Sequence, residues 1–214
     1  EGNLRKHALS VPRCISECSG IRVFGRRIKS LVFSTDVAII KNINADAIIA
    51  VYPFTPQPAI TQAIIGVSEV PVFCGVGGGL TNGVRSASMA AYVEHQGAYG
   101  VVCNSKIGVE TIHAIKDAVE IPVVYTVISE NTDIQPYLTA GVDIINVSGA
   151  ARTPEIVGTL RQRYPELPII ATGGPTEESI LATIRAGANA ITYTPPSSAS
   201  LFAKTMADNR SELE

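Results

Sequence analysis

The 214-residue chain has no tryptophan, little aromatic content (6%) and few charged residues (17%), and each shortage narrows its function. Lys and Arg number 17 against 19 Asp and Glu, the formal net charge is -2, and no basic stripe stands out. The attraction that drives nucleic-acid binding has no source here, so no nucleic-acid partner is expected. No apolar run approaches the ~20 residues needed to cross a bilayer. Residues 1–13 are polar where a signal peptide would be apolar. A cytoplasmic protein without a membrane partner is the expectation. Of four cysteines, Cys14 and Cys18 are spaced C-x3-C, with no second pair to complete a zinc site. Cys74 and Cys103 lie in apolar runs, where cysteine acts as a small hydrophobe. Four reduced structural thiols suit a reducing compartment. The three histidines, His7, His95 and His113, fall in expected helices, away from any strand end. No H-E-x-x-H, G-x-S-x-G or paired-carboxylate motif occurs, and no metal-ligand set is expected.

What is present is a repeating unit. A short, β-branched apolar run ends in Gly, Ser, Thr or Asn, and an amphipathic stretch follows. Eight such runs occur, at 28–34, 47–52, 70–76, 99–104, 121–127, 143–148, 168–172 and 190–194. They are continuously apolar, as strands buried on both faces are. Helices are expected at 36–43, 58–67, 83–95, 108–119, 133–140, 153–163 and 176–186, with an eighth at 200–210. Gly97, Gly141 and Gly187 end three of these helices and turn the chain back toward the sheet. Strict alternation allows an open doubly wound sheet or a closed barrel. Eight units point to a compact single-domain (β/α)8 TIM barrel over 28–210. An open dinucleotide-binding sheet would want G-x-G-x-x-G after its first strand, and the chain lacks it. Residues 1–27 are expected to cover the barrel bottom, with a helix over 4–15 and a hairpin or strand entry at 20–27. Residues 211–214 would form a frayed tail.

Barrels of this kind place their chemistry at the strand C-termini. These ends are rich in hydroxyls, amides and glycines. The seventh unit, ending Thr172-Gly173-Gly174 before a helix, is the strongest signal. Two glycines let backbone N–H groups approach an oxyanion, and a helix N-terminus adds positive potential. A phosphate held by Gly173, Gly174, Ser197 and Ser198 is expected, although Pro195 and Pro196 bring no N–H to the eighth strand end. The alternative is a plain tight turn into a helix. Gly77, Gly78 and Gly79 follow the third run and would wrap a ligand, or form a loop that closes on binding. Asn104, Thr126, Asn146 and Thr172 would orient a substrate. Asp36 and Lys106 are the candidate catalytic groups. Asp36 is equally explained as first-turn helix charge, and Lys106 as a base, an anion clamp, a Schiff-base amine or a surface lysine. Glu130 is a further, more solvated carboxylate.

The segment 168–174 with Ala186-Gly187-Ala188-Asn189-Ala190-Ile191 resembles the phosphate-binding half of several barrel families. These are the ribulose-phosphate-binding barrels, the N-acetylmannosamine-6-phosphate epimerases, the thiazole synthases and flavin- or nucleotide-binding dehydrogenases. The position of Lys106 is similar to that of a thiazole synthase lysine. Class I aldolase barrels usually carry theirs on strand six, where this chain has Asn146. The stretches 51–56, 73–79, 170–175 and 192–196 resemble a bacterial barrel family whose members often carry only the label "hydrolase". Together the readings imply an enzyme of lyase or isomerase type on a small phosphorylated metabolite. A non-catalytic ligand-sensing barrel, a hydrolase and a flavin barrel are the alternatives. Nothing in the sequence requires a cofactor; magnesium held by Asp36 and a ligand phosphate, or FMN, stays open, as does pairing into a homo-oligomer.

Overall fold

The computed structural model describes residues 7–211. Two short strands, β1 (Ile21–Val23) and β2 (Arg26–Ile28), form an antiparallel hairpin. Eight more close a parallel barrel: β3 (Ser30–Phe33), β4 (Ala47–Ala50), β5 (Val72–Gly77), β6 (Gly100–Cys103), β7 (Val123–Val127), β8 (Ile144–Val147), β9 (Ile169–Thr172) and β10 (Ala190–Tyr193). β10 pairs with β3, so no edge is left open. One helix follows each strand: α1 (Val37–Asn42), α2 (Pro58–Val67), α3 (Val84–His95), α4 (Val109–Ala118), α5 (Gln135–Thr139), α6 (Thr153–Arg163), α7 (Glu177–Arg185) and α8 (Ser198–Ser211). The (β/α)8 barrel expected from the eight apolar runs is the fold observed.

The N-terminal segment differs from expectation. Residues 4–6 of the expected helix lie outside the described residues, and 7–12 are not helical. Leu9 bridges Ile43, and the Val11 N–H donates to Asn44 Oδ1 at 2.8 Å. Pro12 is the physical reason: it holds the preceding residue in an extended conformation and cannot sit inside a helix. A short 3-10 turn, Arg13–Glu17, follows instead. The hairpin expected within 20–27 forms around Phe24 and Gly25, both at positive φ, as a tight two-residue turn requires. Ile28 belongs to this hairpin rather than to the first barrel strand. Ser211 ends α8, and residues 212–214 of the expected tail lie outside the described residues.

Two cores result. Outward-facing strand residues such as Val32, Ile48, Cys74, Val101 and Ile145 pack beneath the helices. All four cysteines are buried and unpaired, and burial pushes the Cys74 thiol up to about 12, so it stays protonated. Inside the barrel, strand register places the inward side chains in layers drawn from alternate strands. The lowest holds Ala47, Gly100, Ile144 and Ala190; the next holds Leu31, Phe73, Val124 and Ile170. A Cβ on Gly100 would come within 2.5 Å of the Phe73 ring, so glycine makes room for the largest side chain of this core. Ile21, Val23 and Ile28 of the hairpin join the same apolar cluster. The two upper layers are different in kind. Ile49, Val102, Asn146 and Thr192 form one, and Phe33, Gly75, Thr126 and Thr172 form the top.

Candidate functional site

Above these layers a cavity of about 500 Å³ opens at the C-terminal ends of the strands. Its wall is divided by strand. β3 to β6 and the loops after β4 and β5 supply Phe33, Ile49, Val51, Phe54, Leu80 and Val102. β7 to β10 supply Thr126, Asn146, Ser148, Thr172, Thr192 and Thr194. The strand positions of the first half are apolar, the loops beyond them add Tyr52, Thr55, Thr81, Asn104 and Lys106, and the second half is a bank of hydroxyls and an amide. Gly75 contributes no side chain to the top layer, which lets the cavity reach the layer beneath it. Thr192 is only 6% exposed there. Thr192 Oγ1 and Asn146 Oδ1 are buried without a hydrogen-bond partner among the described residues. Asn146 Nδ2 donates to Thr126 Oγ1 at 3.3 Å.

Among the described residues, Lys106 is the only Lys, Arg, Asp or Glu that lines the cavity, and no carboxylate among them pairs with it. The loop after β6 that carries it is tightly organised. Asn104 Oδ1 accepts from the Lys106 N–H and from the Ser105 hydroxyl, both at 3.2 Å. The Tyr125 hydroxyl donates to the Ser105 carbonyl at 3.3 Å, and the Tyr137 hydroxyl donates to the Ile107 carbonyl at 3.0 Å. The Asn104 N–H donates to the Gly77 carbonyl at 2.9 Å, tying this loop to the glycine-rich one. Gly77 and Gly78 serve close packing. A Cβ on Gly77 would lie 2.0 Å from Ser86 Oγ, and one on Gly78 would lie 2.8 Å from the Asn104 carbonyl oxygen. Gly77 and Gly79 line the cavity, whereas Gly78 packs against Asn104.

The expected residues therefore divide into two groups. Gly77, Gly79, Asn104, Lys106, Thr126, Asn146 and Thr172 converge on the cavity. Asp36, Gly78, Gly173, Gly174, Ser197 and Ser198 do not line it. The Gly173 N–H donates to the Thr192 carbonyl at 3.2 Å, and a Cβ there would meet Ile180 and Ile191 at 2.7 and 2.8 Å. Gly173 thus closes strand pairing and helix packing. Gly174, at φ +79°, turns the chain toward α7. Ser197 caps α8, its Oγ accepting from the Ser200 N–H at 3.1 Å. Asp36 Oδ2 accepts from the Ser198 N–H at 2.8 Å and its hydroxyl at 2.6 Å, and Oδ1 accepts from Ala38 and Ile39 at the start of α1. These bonds, the Ser198 hydroxyl foremost, hold the Asp36 carboxyl below its ordinary range against the opposing effect of partial burial. The carboxylate expected to move protons is a cap shared by two helices. It also occupies the α8 N-terminus, the place where the expected phosphate would bind. Glu130, the other expected carboxylate, pairs with Arg152 after β8.

No lining residue among those described is Asp, Glu, His or Cys. A hard divalent cation takes carboxylate oxygens, so the lining does not fit magnesium. Asp36, with both oxygens engaged by backbone and Ser198, does not fit it either. No cluster of three or more His, Cys, Asp or Glu exists among the described residues. Thr192 and Ser148 went unrecognised in the sequence as site residues; their inward parity at the ends of β10 and β8 was the available signal. No helix among the described residues is long and apolar enough to cross a membrane.

No family model and no curated protein sequence matches the chain. Solved structures do. A phosphoenolpyruvate phosphomutase from Streptomyces platensis subsp. rosaceus is 16% identical with a TM-score of 0.63, over 85% of this chain and 80% of that one. A phosphonopyruvate hydrolase in complex with oxalate and Mg2+ is 16% identical with a TM-score of 0.63, over 86% and 80%. A 2,3-dimethylmalate lyase of the PEP mutase/isocitrate lyase superfamily is 14% identical with a TM-score of 0.66, over 94% and 85%. At these identities the likeness is one of fold, and it agrees with the closed eight-stranded barrel.

Proposed function

We propose that the chain is an enzyme of lyase or isomerase type that acts on a small organic acid bound in the cavity above β3 to β10. One observation carries this reading: among the described residues, Lys106 is the lone charged side chain in a lining otherwise made of hydroxyls, apolar surface and amides. An unpaired ammonium at the mouth of a partly enclosed cavity favours an anionic group on the ligand. The solved barrels of like fold bear the names of a mutase, a hydrolase and a lyase of small acids. In this reading Lys106 neutralises the acid, Asn104 and Thr126 orient it, and Asn146 with Thr172 and Thr192 meets its polar end. A phosphorylated acid is the narrower form, matching the resemblance to phosphate-binding barrels in residues 168–191. Its anion is assigned to Lys106, because the Gly173 N–H and the Ser198 N–H already have acceptors.

A specific observation favours a second reading, a ligand-sensing barrel without turnover. Apart from Lys106, the only titratable side chain in the lining among the described residues is Tyr52, whose hydroxyl accepts from the Gln57 N–H at 2.8 Å. A general acid and base pair is therefore not evident. The test is to incubate the protein with a panel of keto, hydroxy and phosphorylated acids and follow each by proton NMR, with calorimetry alongside. Product formation lost in Lys106→Met supports the enzyme. Lys106-dependent binding with no product across the panel supports the sensor, and binding that ignores Lys106→Met refutes the site.

A further inference from the structure

We infer that the cavity selects a short hydroxy acid with a branched apolar end, its hydroxyl resting on Asn146 and Thr192. The inference rests on the small-acid reading and goes on to name the class of acid. Asn146 and Thr192 belong to one inward layer, on β8 and β10, and both line the cavity floor. Each has a buried oxygen with no partner among the described residues, and an unmet buried polar atom is costly until something bonds to it. A hydroxyl meets both needs at once. Its O–H donates to Asn146 Oδ1, and its oxygen accepts from the Thr192 hydroxyl. A ketone has no proton to give and would set its oxygen against Asn146 Oδ1. An alkyl group would leave both oxygens unmet. Opposite them in the same layer stand Ile49 and Val102, with Phe33 above and the open position of Gly75 beside it. These four strand positions carry no polar side chain and suit a methyl-branched carbon end. Lys106 at the mouth then holds the carboxylate.

The wild-type protein is titrated by calorimetry with 2-hydroxyisovalerate, 3-hydroxyisovalerate, 2-oxoisovalerate and isovalerate. At least one hydroxy acid is expected to bind about tenfold or more tightly than isovalerate and the oxo acid. Asn146→Leu and Thr192→Val, nearly isosteric changes, should reduce that preference to about twofold or less while leaving isovalerate binding equal or stronger. Melting curves establish that both variants fold; the wild-type comparison stands without them. Equal wild-type binding of isovalerate and both hydroxy acids would overturn the inference and leave the small-acid reading intact. A preference retained in both folded variants would overturn the assignment to Asn146 and Thr192. If none of the four acids binds, this inference falls, and the small-acid reading stands or falls on the wider panel of keto, hydroxy and phosphorylated acids.

Discussion

Tyr125 and Tyr137 stack with ring centroids 4.0 Å apart and planes 7° from parallel, and their hydroxyls grip the carbonyls on either side of Lys106. Tyr125 comes from β7 and Tyr137 from α5, so the pair ties barrel and helix to the loop carrying the cavity's one charge. Burial, helped by Tyr137, raises the Tyr125 hydroxyl above its ordinary value and keeps it a donor. Tyr137→Phe keeps the stack and loses the bond to Ile107. It should cost about 1 kcal/mol in urea unfolding. Tyr137→Leu loses the ring pair as well, a further ~0.5–1.5 kcal/mol.

Asp36 joins the starts of α1 and α8, and its stabilising effect should depend on pH. Its carboxyl is held below the ordinary value in the folded chain, chiefly by the Ser198 hydroxyl. A group whose folded pKa is depressed stabilises above its unfolded pKa and loses that effect as pH falls through the folded one. Asp36→Ala should therefore cost roughly 1–2 kcal/mol at pH 7, with the gap from wild type closing under acid titration. Asp36→Asn retains an α1 cap but no charge, and should fall between the two. Denaturant midpoints of the three proteins across the acid range would show this. A gap that stays constant with pH would mean that the carboxylate charge contributes nothing.

The barrel was legible because its signals are local. Each apolar run, each stop at Gly97, Gly141 or Gly187 and each amphipathic stretch declares itself within a short window. The site was legible only in part. Asn104, Lys106, Thr126, Asn146 and Thr172 sit at strand ends, and position alone points them at the cavity. Gly173, Ser198 and Asp36 lie off the cavity lining, and the partners that engage Asp36 and Ser198 are remote in sequence. Asp36 and Ser198 are separated by 162 residues, and only closure of the barrel brings a carboxylate onto that helix start. The two-sided lining was hidden for the same reason. It depends on which residues of alternate strands share a layer, which is set by register around the closed sheet.

The glycine-rich loop makes a sharp contrast between neighbours. Gly78 has φ +105°, and a Cβ there would press on the Asn104 backbone at 2.8 and 2.9 Å. Gly79 has nothing within 4 Å of its Cβ position. Gly78→Ala should destabilise by about 1–3 kcal/mol, through strain at an unfavourable φ and a clash with unyielding backbone. Gly79→Ala should change stability by less than about 0.5 kcal/mol. Equal effects in parallel unfolding curves would show that the loop is free rather than clamped against Asn104.

Gly75 offers the most direct way to separate the cavity from the fold. It holds an inward place in the top layer beside Phe33, Thr126 and Thr172, and adds no side chain there. Its φ is not in the left-handed range, and a Cβ would meet Val51 Cγ2 at 3.2 Å and the Ala50 carbonyl at 3.4 Å. The Val51 side chain must yield slightly, which costs stability. Against that, alanine restricts the unfolded chain and returns ~0.4–1 kcal/mol. The two effects oppose each other, so Gly75→Ala should leave the melting temperature within a few degrees of wild type. The added methyl nonetheless occupies the open place in the top layer, above the layer that holds Asn146 and Thr192. Affinity for small acids should then fall in the order Gly75, Gly75→Ala, Gly75→Val, with a loss of about tenfold or more at the larger residue. Stability and affinity are thereby predicted to come apart along this series. Affinities that simply followed the melting temperatures would place the ligand elsewhere on the barrel.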